Sequence, residues 1–211
     1  GGLLMNTTVI ENFPGFHEGI EGPKLMEEMR AQAEHFGADL RMEEVDKINL
    51  IGDVKTVESL GVTYSAKTII LAMGSTPRYL SVPGEEDFKA RGVSACATCD
   101  GFFYRNQVVA VIGGGNTAVE EALYLSNIAK EVHLVHRRDK LRSEKILQDK
   151  LFDKVENGNM RLHWNHTLDE VLGDQSGVTG VRLKSTLDGS TKELALAGVF
   201  IAIGHKPNTE L

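Results

Sequence analysis

The sequence predicts an α/β fold built around a parallel sheet. In the run over 107–137, a buried strand, an amphipathic helix and a second buried strand follow one another. This order is a βαβ unit, which implies parallel strands that are covered on both faces. A proline- and glycine-bearing passage over 75–92 comes before this run and predicts a domain boundary. With 211 residues, the chain is long enough for two small domains.

The segment before the boundary is predicted to hold one helix and several short strands. Over 22–37, apolar residues recur at helical spacing, with proline in the first turn and glycine at the end. Short strands separated by glycine and aspartate turns are predicted over 38–52, 54–61, 62–66 and 67–74.

The segment after the boundary continues the αβ alternation and then turns to strands. The βαβ run comprises a strand over 107–113, a helix over 116–129 and a strand over 131–137, and a further helix is predicted over 143–157. Asp188-Gly189 predicts a hairpin turn between two of the later strands. These strands are predicted over 160–167, 168–174, 178–186, 192–198 and 198–204.

Composition and charge disfavour several classes of protein. The formal net charge is −7 and the pI is near 5.5. General nucleic-acid and anionic-membrane binders need a positive field, so neither partner is expected. The longest apolar runs are too short to span a bilayer. Two cysteines are too few for a disulfide scaffold, so a cytoplasmic location is expected.

Gly113, Gly115 and Ala118 match the pattern G-x-G-x-x-A between the first strand and the helix of the βαβ unit. The first glycine permits a tight turn, the second lets a pyrophosphate approach the backbone, and the small third residue lets helix and strand pack closely. The alternative is a flexible glycine turn. Three successive glycines between two clear elements favour a dinucleotide site.

The residues at the end of the second strand distinguish an NAD site from an NADPH site. An NAD site usually has an acidic residue there, but this chain has His136, Arg137, Arg138 and, one turn on, Arg142. Guanidinium groups suit a 2′-phosphate by charge and by bidentate geometry. The alternative is a solvated basic patch. The arginines of this acidic chain therefore predict NADPH.

Cys96 and Cys99 form a C-x-x-C motif with three possible explanations: a redox pair, part of a metal site, or two buried thiols. Zinc needs about four ligands, and the sequence offers no second C-x-x-C. His163 and His166 are the only candidates to complete a site, and alternation places them on a strand surface. No metal is therefore predicted.

The residues around the cysteines favour the redox explanation. Ala97 and Thr98 are small enough to allow a close disulfide, and Asp100 could donate or accept a proton. A reactive pair needs such help because the thiolate is the nucleophile and the leaving sulfur needs a proton. NADPH delivers a hydride, whereas a disulfide accepts electrons by thiolate chemistry, so a flavin relay, FAD, is expected.

Four segments together resemble the bacterial low-molecular-weight thioredoxin reductases: "ACATCDGFFYRN", "VIGGGNTAVEEALYLSNIAKEVHLVHRRDKLRSEKIL", "DKVENGN" and "AIGHKPNT". The resemblance covers essentially the whole chain. It is specific, since the cysteine pair lies directly before the glycine turn of the NADPH domain. The resemblance implies a flavoprotein with two dinucleotide-binding domains, each Rossmann-like and three-layered.

The resemblance also implies roles for individual residues in the reduction of thioredoxin. Cys99 would be the thiol next to the flavin, Cys96 the thiol that attacks thioredoxin, and Asp100 the acid that protonates the departing thiolate. Positions expected to meet the thioredoxin surface are Arg91, Phe102 and Phe103. Positions expected around NADPH are Gly113, Gly115, Asn116, Thr117, Ala118, Glu120, His136, Arg137, Arg138 and Arg142.

On the flavin side the implied positions lie in three segments: "GGLL", "ENFPG" and the strand end "LAMG", in which Met73 stands where the family has threonine. The family's first G-x-G-x-x-G and its later "GD" segment have no counterpart in the chain. The resemblance thus implies a whole NADPH domain over 77–204 and part of an FAD domain over 1–76 and 205–211. The full-length protein is expected to be a homodimer. The FAD positions are Gly1, Gly2, Leu3, Leu4, Asn12, Val45, Ala72 and Gly74.

Other functions remain open at this point. One is a flavin-dependent dithiol oxidase of the same fold, which would not need the arginines at 137, 138 and 142. Another is a nucleotide-binding module that is inert by itself. Domain rotation about Thr76-Pro77 and Gly204 to Pro207 is expected from the resemblance.

Overall fold

The computed structural model describes residues 2–6, 9–10 and 13–210. It divides the chain into two compact units. The first unit comprises Gly1–Thr76 and Pro207–Leu211, and the second comprises Pro77–Lys206. The assignment of these units to FAD and NADPH stays a prediction at this point.

The first unit contains one long helix and short antiparallel strands. The first two strands pair with each other, and the next three form a meander. The chain leaves the first unit within the last strand of this series. The elements are a 3₁₀ helix Gly2–Asn6, β1 (Val9–Ile10), β2 (Ile20–Glu21), α1 (Gly22–His35), β3 (Lys47–Asn49), β4 (Lys55–Ser59), β5 (Val62–Ala66) and β6 (Ser75–Pro77).

Two expectations for the first unit are wrong. The predicted strand over 67–74 is irregular, and Ile70 is 92% exposed. The apolar run is present, but no ladder of the described residues includes 68–74, and a strand forms only where neighbouring backbone groups pair with it. The strand predicted over 38–52 forms only at Lys47–Asn49, and the rest of that range is irregular.

The second unit carries the predicted αβ alternation. A short helix at the cysteines and a 3₁₀ turn precede the βαβ run, and the chain re-enters the first unit within the final strand. The elements are β7 (Val93–Ser94), α2 (Ala97–Asp100), a 3₁₀ helix Gly101–Tyr104, β8 (Val108–Gly113), α3 (Asn116–Leu125), β9 (Glu131–His136), α4 (Lys145–Asn157), β10 (Met160–Trp164), β11 (His166–Asp174), β12 (Gly177–Ser185), β13 (Thr191–Ala195), β14 (Gly198–Ala202) and β15 (His205–Pro207).

The second unit has three layers, with a parallel sheet in the middle. Its strand order is β10-β9-β8-β14-β7, and the four pairs of neighbouring strands are all parallel. Along β8, Val109 and Val111 join the core beneath the helices, whereas Ala110 and Ile112 join the core beneath the antiparallel sheet β11-β12-β13. This alternation follows from the two-residue period of a strand. The α/β fold with a parallel sheet is thus confirmed.

The hairpin predicted at Asp188-Gly189 joins β12 to β13, which pair antiparallel. Gly189 has a φ of +74°, a conformation that glycine adopts without strain. A hydrogen bond from the Ser185 side chain, together with those that Ser190 N and Ser190 Oγ donate to the carboxylate, lowers the pKa of Asp188 to about 2. The turn is therefore held by its own side chains.

Candidate functional site

The predicted dinucleotide turn lies where β8 ends and α3 begins. A Cβ at Gly113 would lie 2.3 Å from the carbonyl oxygen of Ala202 and 2.6 Å from Cβ of Ala118. Strand and helix therefore meet at a spacing that only glycine and a small partner allow, as the motif predicts. A Cβ at Gly115 would have no atom within 4 Å, so the backbone there faces open space.

Gly114, between these two, is explained by His136 at the end of β9. A Cβ at Gly114 would lie 2.2 Å from Nδ1 of His136, so the ring lies directly against the turn. Nε2 of His136 is 3.0 Å from the carbonyl oxygen of Lys140. Burial is the main cause that lowers the pKa of His136, so the ring is neutral near pH 7. It therefore shapes the turn and adds no charge there.

A cavity of about 490 Å³ opens over the glycine turn. Its wall includes the amide-rich start of α3 and two of the predicted arginines. Of the NADPH positions, Ala118, Glu120 and Arg138 are outside the wall: Ala118 is buried beneath the turn, and the other two are exposed. The predicted positions in the wall are Gly113, Gly115, Asn116, Thr117, His136, Arg137 and Arg142.

Sequence reasoning missed part of this wall. Arg78, Leu80, His166 and Thr167 also line the cavity. Arg78 is brought there because its backbone N–H donates to the carbonyl oxygen of Gly204 at 2.9 Å, just after β14. The basic residue in "TPRYL" was a weak signal, since only this long-range contact places it beside the turn.

Cys96 and Cys99 are joined by a disulfide bond, with their Cα atoms 5.3 Å apart. Both side chains are half-buried, and Ala97 between them is fully buried. Sγ of Cys96 accepts a hydrogen bond from the N–H of Cys99 at 3.3 Å and so caps α2. The sequence left three explanations for the two cysteines open. The structure contains a disulfide between them, which fits the redox pair.

Asp100, the predicted acid, lies at the end of the same short helix. Its Oδ2 accepts a hydrogen bond from Oγ of Ser94 at 2.6 Å, and Ser94 Oγ in turn accepts from the N–H of Cys96 at 3.0 Å. Ser94 therefore links the carboxylate to the backbone of the first cysteine. It was not singled out from the sequence.

A second carboxyl group, Glu121 of α3, lies beneath the disulfide helix and was also missed. Its Oε1 is 3.4 Å from the N–H of Ala97, which donates to it. Burial raises the pKa of Glu121 to about 7, and the bond from Ala97 opposes that rise only in part. Its Oε2 is buried and has no hydrogen-bond partner among the residues that the structure describes. The sequence did contain a sign of it, because Glu121 is a charged residue at helical spacing from apolar ones. It lies three residues after Ala118 and four before Leu125, and both of these are buried.

The positions expected to meet a protein partner are exposed. Phe102 and Phe103, in the turn after α2, are 66% and 71% exposed. The guanidinium of Arg105 lies 5.3 Å from the ring centroid of Phe102. Arg91 stacks on Phe88 and donates to the carbonyl oxygen of Asp87, so its side chain is already held.

The FAD positions lie in the first unit and are not brought into one site by the contacts described. Leu4 and Val45 are 42% and 38% exposed. Gly74 has a φ of +67°, and its carbonyl oxygen accepts from the N–H of Asn208 at 3.1 Å. Ala72 lies two residues before it, on the other side of Met73. Gly2 starts the 3₁₀ helix. Gly1, Asn12 and the side chain of Leu3 lie outside the described residues.

The two histidines weighed as zinc ligands have other contacts. Nε2 of His163 is 2.9 Å from Nδ1 of His133, and its Nδ1 is 3.0 Å from Nζ of Lys192. Nδ1 of His166 bonds the carbonyl oxygen of Trp164. Within residues 2–6, 9–10 and 13–210, no three His, Cys, Asp or Glu side chains are grouped to bind a metal ion. In the same residues, no helix combines the length and the apolar character needed to cross a bilayer.

Comparison with known proteins places the chain in a family. The family model for pyridine nucleotide-disulphide oxidoreductases matches residues 2–211. The chain belongs to that family. The predicted dinucleotide-binding fold and its disulfide both agree with this membership.

Individual relatives agree with it. The chain is 57% identical over its whole length to a thioredoxin reductase of Vibrio cholerae, and spans 66% of that protein. It is 54% identical to a protein of Pseudomonas fluorescens named glucosaminate ammonia-lyase, again spanning 66%. A solved thioredoxin reductase of Lactococcus lactis is 41% identical, with a TM-score of 0.77, and the match covers 100% of this chain and 68% of the other. The chain thus spans about two thirds of the length of these relatives.

Proposed function

We propose that this protein uses NADPH to reduce the disulfide of thioredoxin, with FAD as the electron relay and Cys96–Cys99 as the redox pair. The observation that carries the proposal is that one unit holds both the disulfide and a cavity built from a dinucleotide turn and arginines. The names of the relatives support it. An ammonia elimination would give the disulfide no role, so the reductase is preferred over the second relative's name.

NADPH would occupy the cavity with its pyrophosphate at the start of α3. The backbone from Gly115 to Thr117 is open there, and a helix N-terminus favours phosphate charge. Arg137 and Arg142 would hold the 2′-phosphate, with Arg138 nearby as the outer charge. Neutral His136 would hold the turn in shape.

FAD would supply the step from two-electron hydride transfer to thiolate chemistry. The described part of the first unit offers antiparallel ladders, β1–β2 and β3–β5, rather than a strand–glycine turn–helix unit of the kind at 108–125. It does not supply the pyrophosphate turn that FAD needs. The FAD positions named above therefore stay predictions, and no step is derived through the flavin.

The thiol chemistry would follow from the reduced pair. The thiolate of Cys96 attacks a sulfur of the thioredoxin disulfide, which forms a mixed disulfide and releases one thioredoxin thiolate. Asp100 donates a proton to that sulfur. The thiolate of Cys99 then attacks Sγ of Cys96, which restores the Cys96–Cys99 disulfide and releases the second thioredoxin sulfur.

The docking surface for thioredoxin would include the exposed rings of Phe102 and Phe103, with Arg91 at its edge. Exposed aromatic side chains near a reactive group are common anchors of protein interfaces. We further propose that the full-length protein is a cytoplasmic homodimer.

The visible spectrum of the purified protein, before and after NADPH is added without oxygen, tests the proposal. A flavin spectrum that bleaches, followed by reduction of added thioredoxin, is the expected result. A colourless protein that binds NADPH and reduces nothing would favour an inert nucleotide-binding module. A flavin reduced by small dithiols but not by NADPH would favour a dithiol oxidase.

A further inference from the structure

The carboxyl group of Glu121 has no part in the proposed reaction, although it bonds the backbone between the two cysteines. Its Oε1 accepts from the peptide N–H of Ala97, the residue that follows Cys96. A buried carboxyl oxygen without a partner is costly, and Oε2 of Glu121 has none among the described residues. A leucine or alanine would fill this place on the buried face of α3 without that cost.

We propose that Glu121 is a positioning residue of the redox pair: its carboxyl holds the first turn of α2 through the Ala97 amide, and its charge sets the thiolate fraction of the reduced cysteines. A carboxylate that accepts from the amide between the two cysteines disfavours a second negative charge there, whereas the neutral acid does not. The inference rests on the proposed redox role of the pair.

Helix α2, helix α4 and three strands of the sheet pack on α3, the helix that carries Glu121. The titratable groups in or directly before α2 are Cys96, Cys99 and Asp100. Helix α4 also packs on α3, but its end residue Glu144 bonds Asn116 and its Lys154 bonds Asn127, at the two ends of α3. Glu120 and Tyr124 share its helix and are exposed. The strands beneath α3 place apolar side chains against it, apart from His136 at the end of β9, whose ring lies against Gly114.

Burial has already raised the pKa of Glu121 to about 7. Near neutral pH the group therefore changes charge, and thiols ordinarily ionise in the next pH range above it. Two such neighbours titrate as a coupled pair, so ionisation of Glu121 raises the pKa of the nearer thiol. The reactivity of the reduced cysteines should then rise less steeply with pH above 7 than below it.

The test is the rate at which iodoacetamide alkylates the protein after reduction by dithiothreitol and its removal, from pH 6 to pH 9. The variant is Glu121→Gln, which keeps an oxygen for the Ala97 amide but cannot ionise. Glu156→Gln, which removes an exposed carboxylate of α4, is the matched control. The wild type and the control should show a change of slope near pH 7 that Glu121→Gln lacks.

At pH 8, removal of the charge should raise the thiolate fraction roughly tenfold. Because a thiolate of lower pKa is a weaker nucleophile, the alkylation rate should rise only about threefold. Identical profiles for the wild type and Glu121→Gln would overturn the proposal. Since the assay uses no NADPH, flavin or thioredoxin, its result is independent of whether the protein is a thioredoxin reductase.

If Glu121→Gln does not fold, the wild type still decides the question. An infrared difference spectrum between the oxidised and reduced protein at pH 7 should contain a band of a protonated carboxyl group that shifts in D₂O. A spectrum without any carboxyl change on reduction would overturn the proposal, because the group would then not respond to the charge on the pair.

Discussion

The two candidate sites of the second unit differ in charge, and the difference matches their chemistry. The cavity over the glycine turn is lined by Arg78, Arg137 and Arg142 and by backbone amides, all suited to phosphate. The disulfide is flanked instead by two acids, Asp100 through Ser94 and Glu121 through Ala97. Under the proposed function, residues that follow strands would supply the charge that binds phosphate, whereas acids on α2 and α3 would exchange protons with sulfur.

The largest effect is expected for Cys99→Ser, which should abolish the function of the disulfide and leave the NADPH cavity unaffected. Cys99→Ser should lower NADPH-driven thioredoxin reduction by at least about a thousandfold, because the chain then has no disulfide to pass electrons on. The NADPH dissociation constant should be unchanged, since the cavity is lined by other residues. Turnover and fluorescence titration measure the two quantities. Thr98→Ser is the control, and appreciable thioredoxin reduction by Cys99→Ser would show that another group carries the electrons.

The converse change addresses the cavity. The double variant Arg137→Ala, Arg138→Ala should raise KM for NADPH roughly 10- to 100-fold, because a charge-assisted contact from Arg137 to the 2′-phosphate and the nearby charge of Arg138 are lost. KM for NADH should stay the same, so preference shifts towards NADH. Lys150→Ala, another exposed cation, is the control. An unchanged NADPH preference would remove the basis for assigning the 2′-phosphate to these residues.

Substitutions of two neighbouring glycines in the turn should separate an effect on stability from an effect on NADPH binding. Gly114→Ala places a methyl group against the His136 ring and should lower stability by about 1–3 kcal/mol, measured by thermal unfolding. Gly115→Ala meets no protein atom and should leave stability nearly unchanged, yet weaken NADPH binding because the methyl group projects into ligand space. If both variants bind NADPH as well as the wild type does, the pyrophosphate is not at this turn.

The smallest effect concerns histidines that belong to neither site. Burial lowers the pKa of His163 to about 4, so the folded state disfavours its charged form. Its contribution to stability is present above pH 6.5 and is lost as pH falls from 6.5 towards 4, because the unfolded chain binds the proton more readily. The melting temperature of the wild type should fall between pH 7 and pH 5. In His163→Gln this fall should be smaller by roughly 2 °C. His17→Gln, at an exposed position, should leave that drop unchanged.

The sequence predicted the second unit better than the first for a physical reason. In the βαβ run, local pattern and final environment agree, since the strands are buried on both sides and the helix has one apolar face. The apolar run over 67–74 has the composition of a buried strand, but pairing is a property of neighbouring segments. Composition alone could not show that Ile70 would be exposed.

The same limit applies to the site. The glycine turn and Arg137 lie in one local motif, so spacing identified them. Arg78 reaches the cavity only through a bond to Gly204, which a linear pattern does not contain. Glu121 was visible as a charge on an apolar helical face, but its relation to the cysteines depends on how α2 packs on α3.

The hydrogen bond from Arg78 to Gly204 also bears on how such a chain could arise. It brings the beginning and the end of the second unit side by side, so the chain enters and leaves this unit at neighbouring points. Closing a gap that short costs little chain entropy, whatever the size of the inserted fold. A domain with adjacent ends can therefore be gained or exchanged as one piece, as happens in circular permutation and domain insertion.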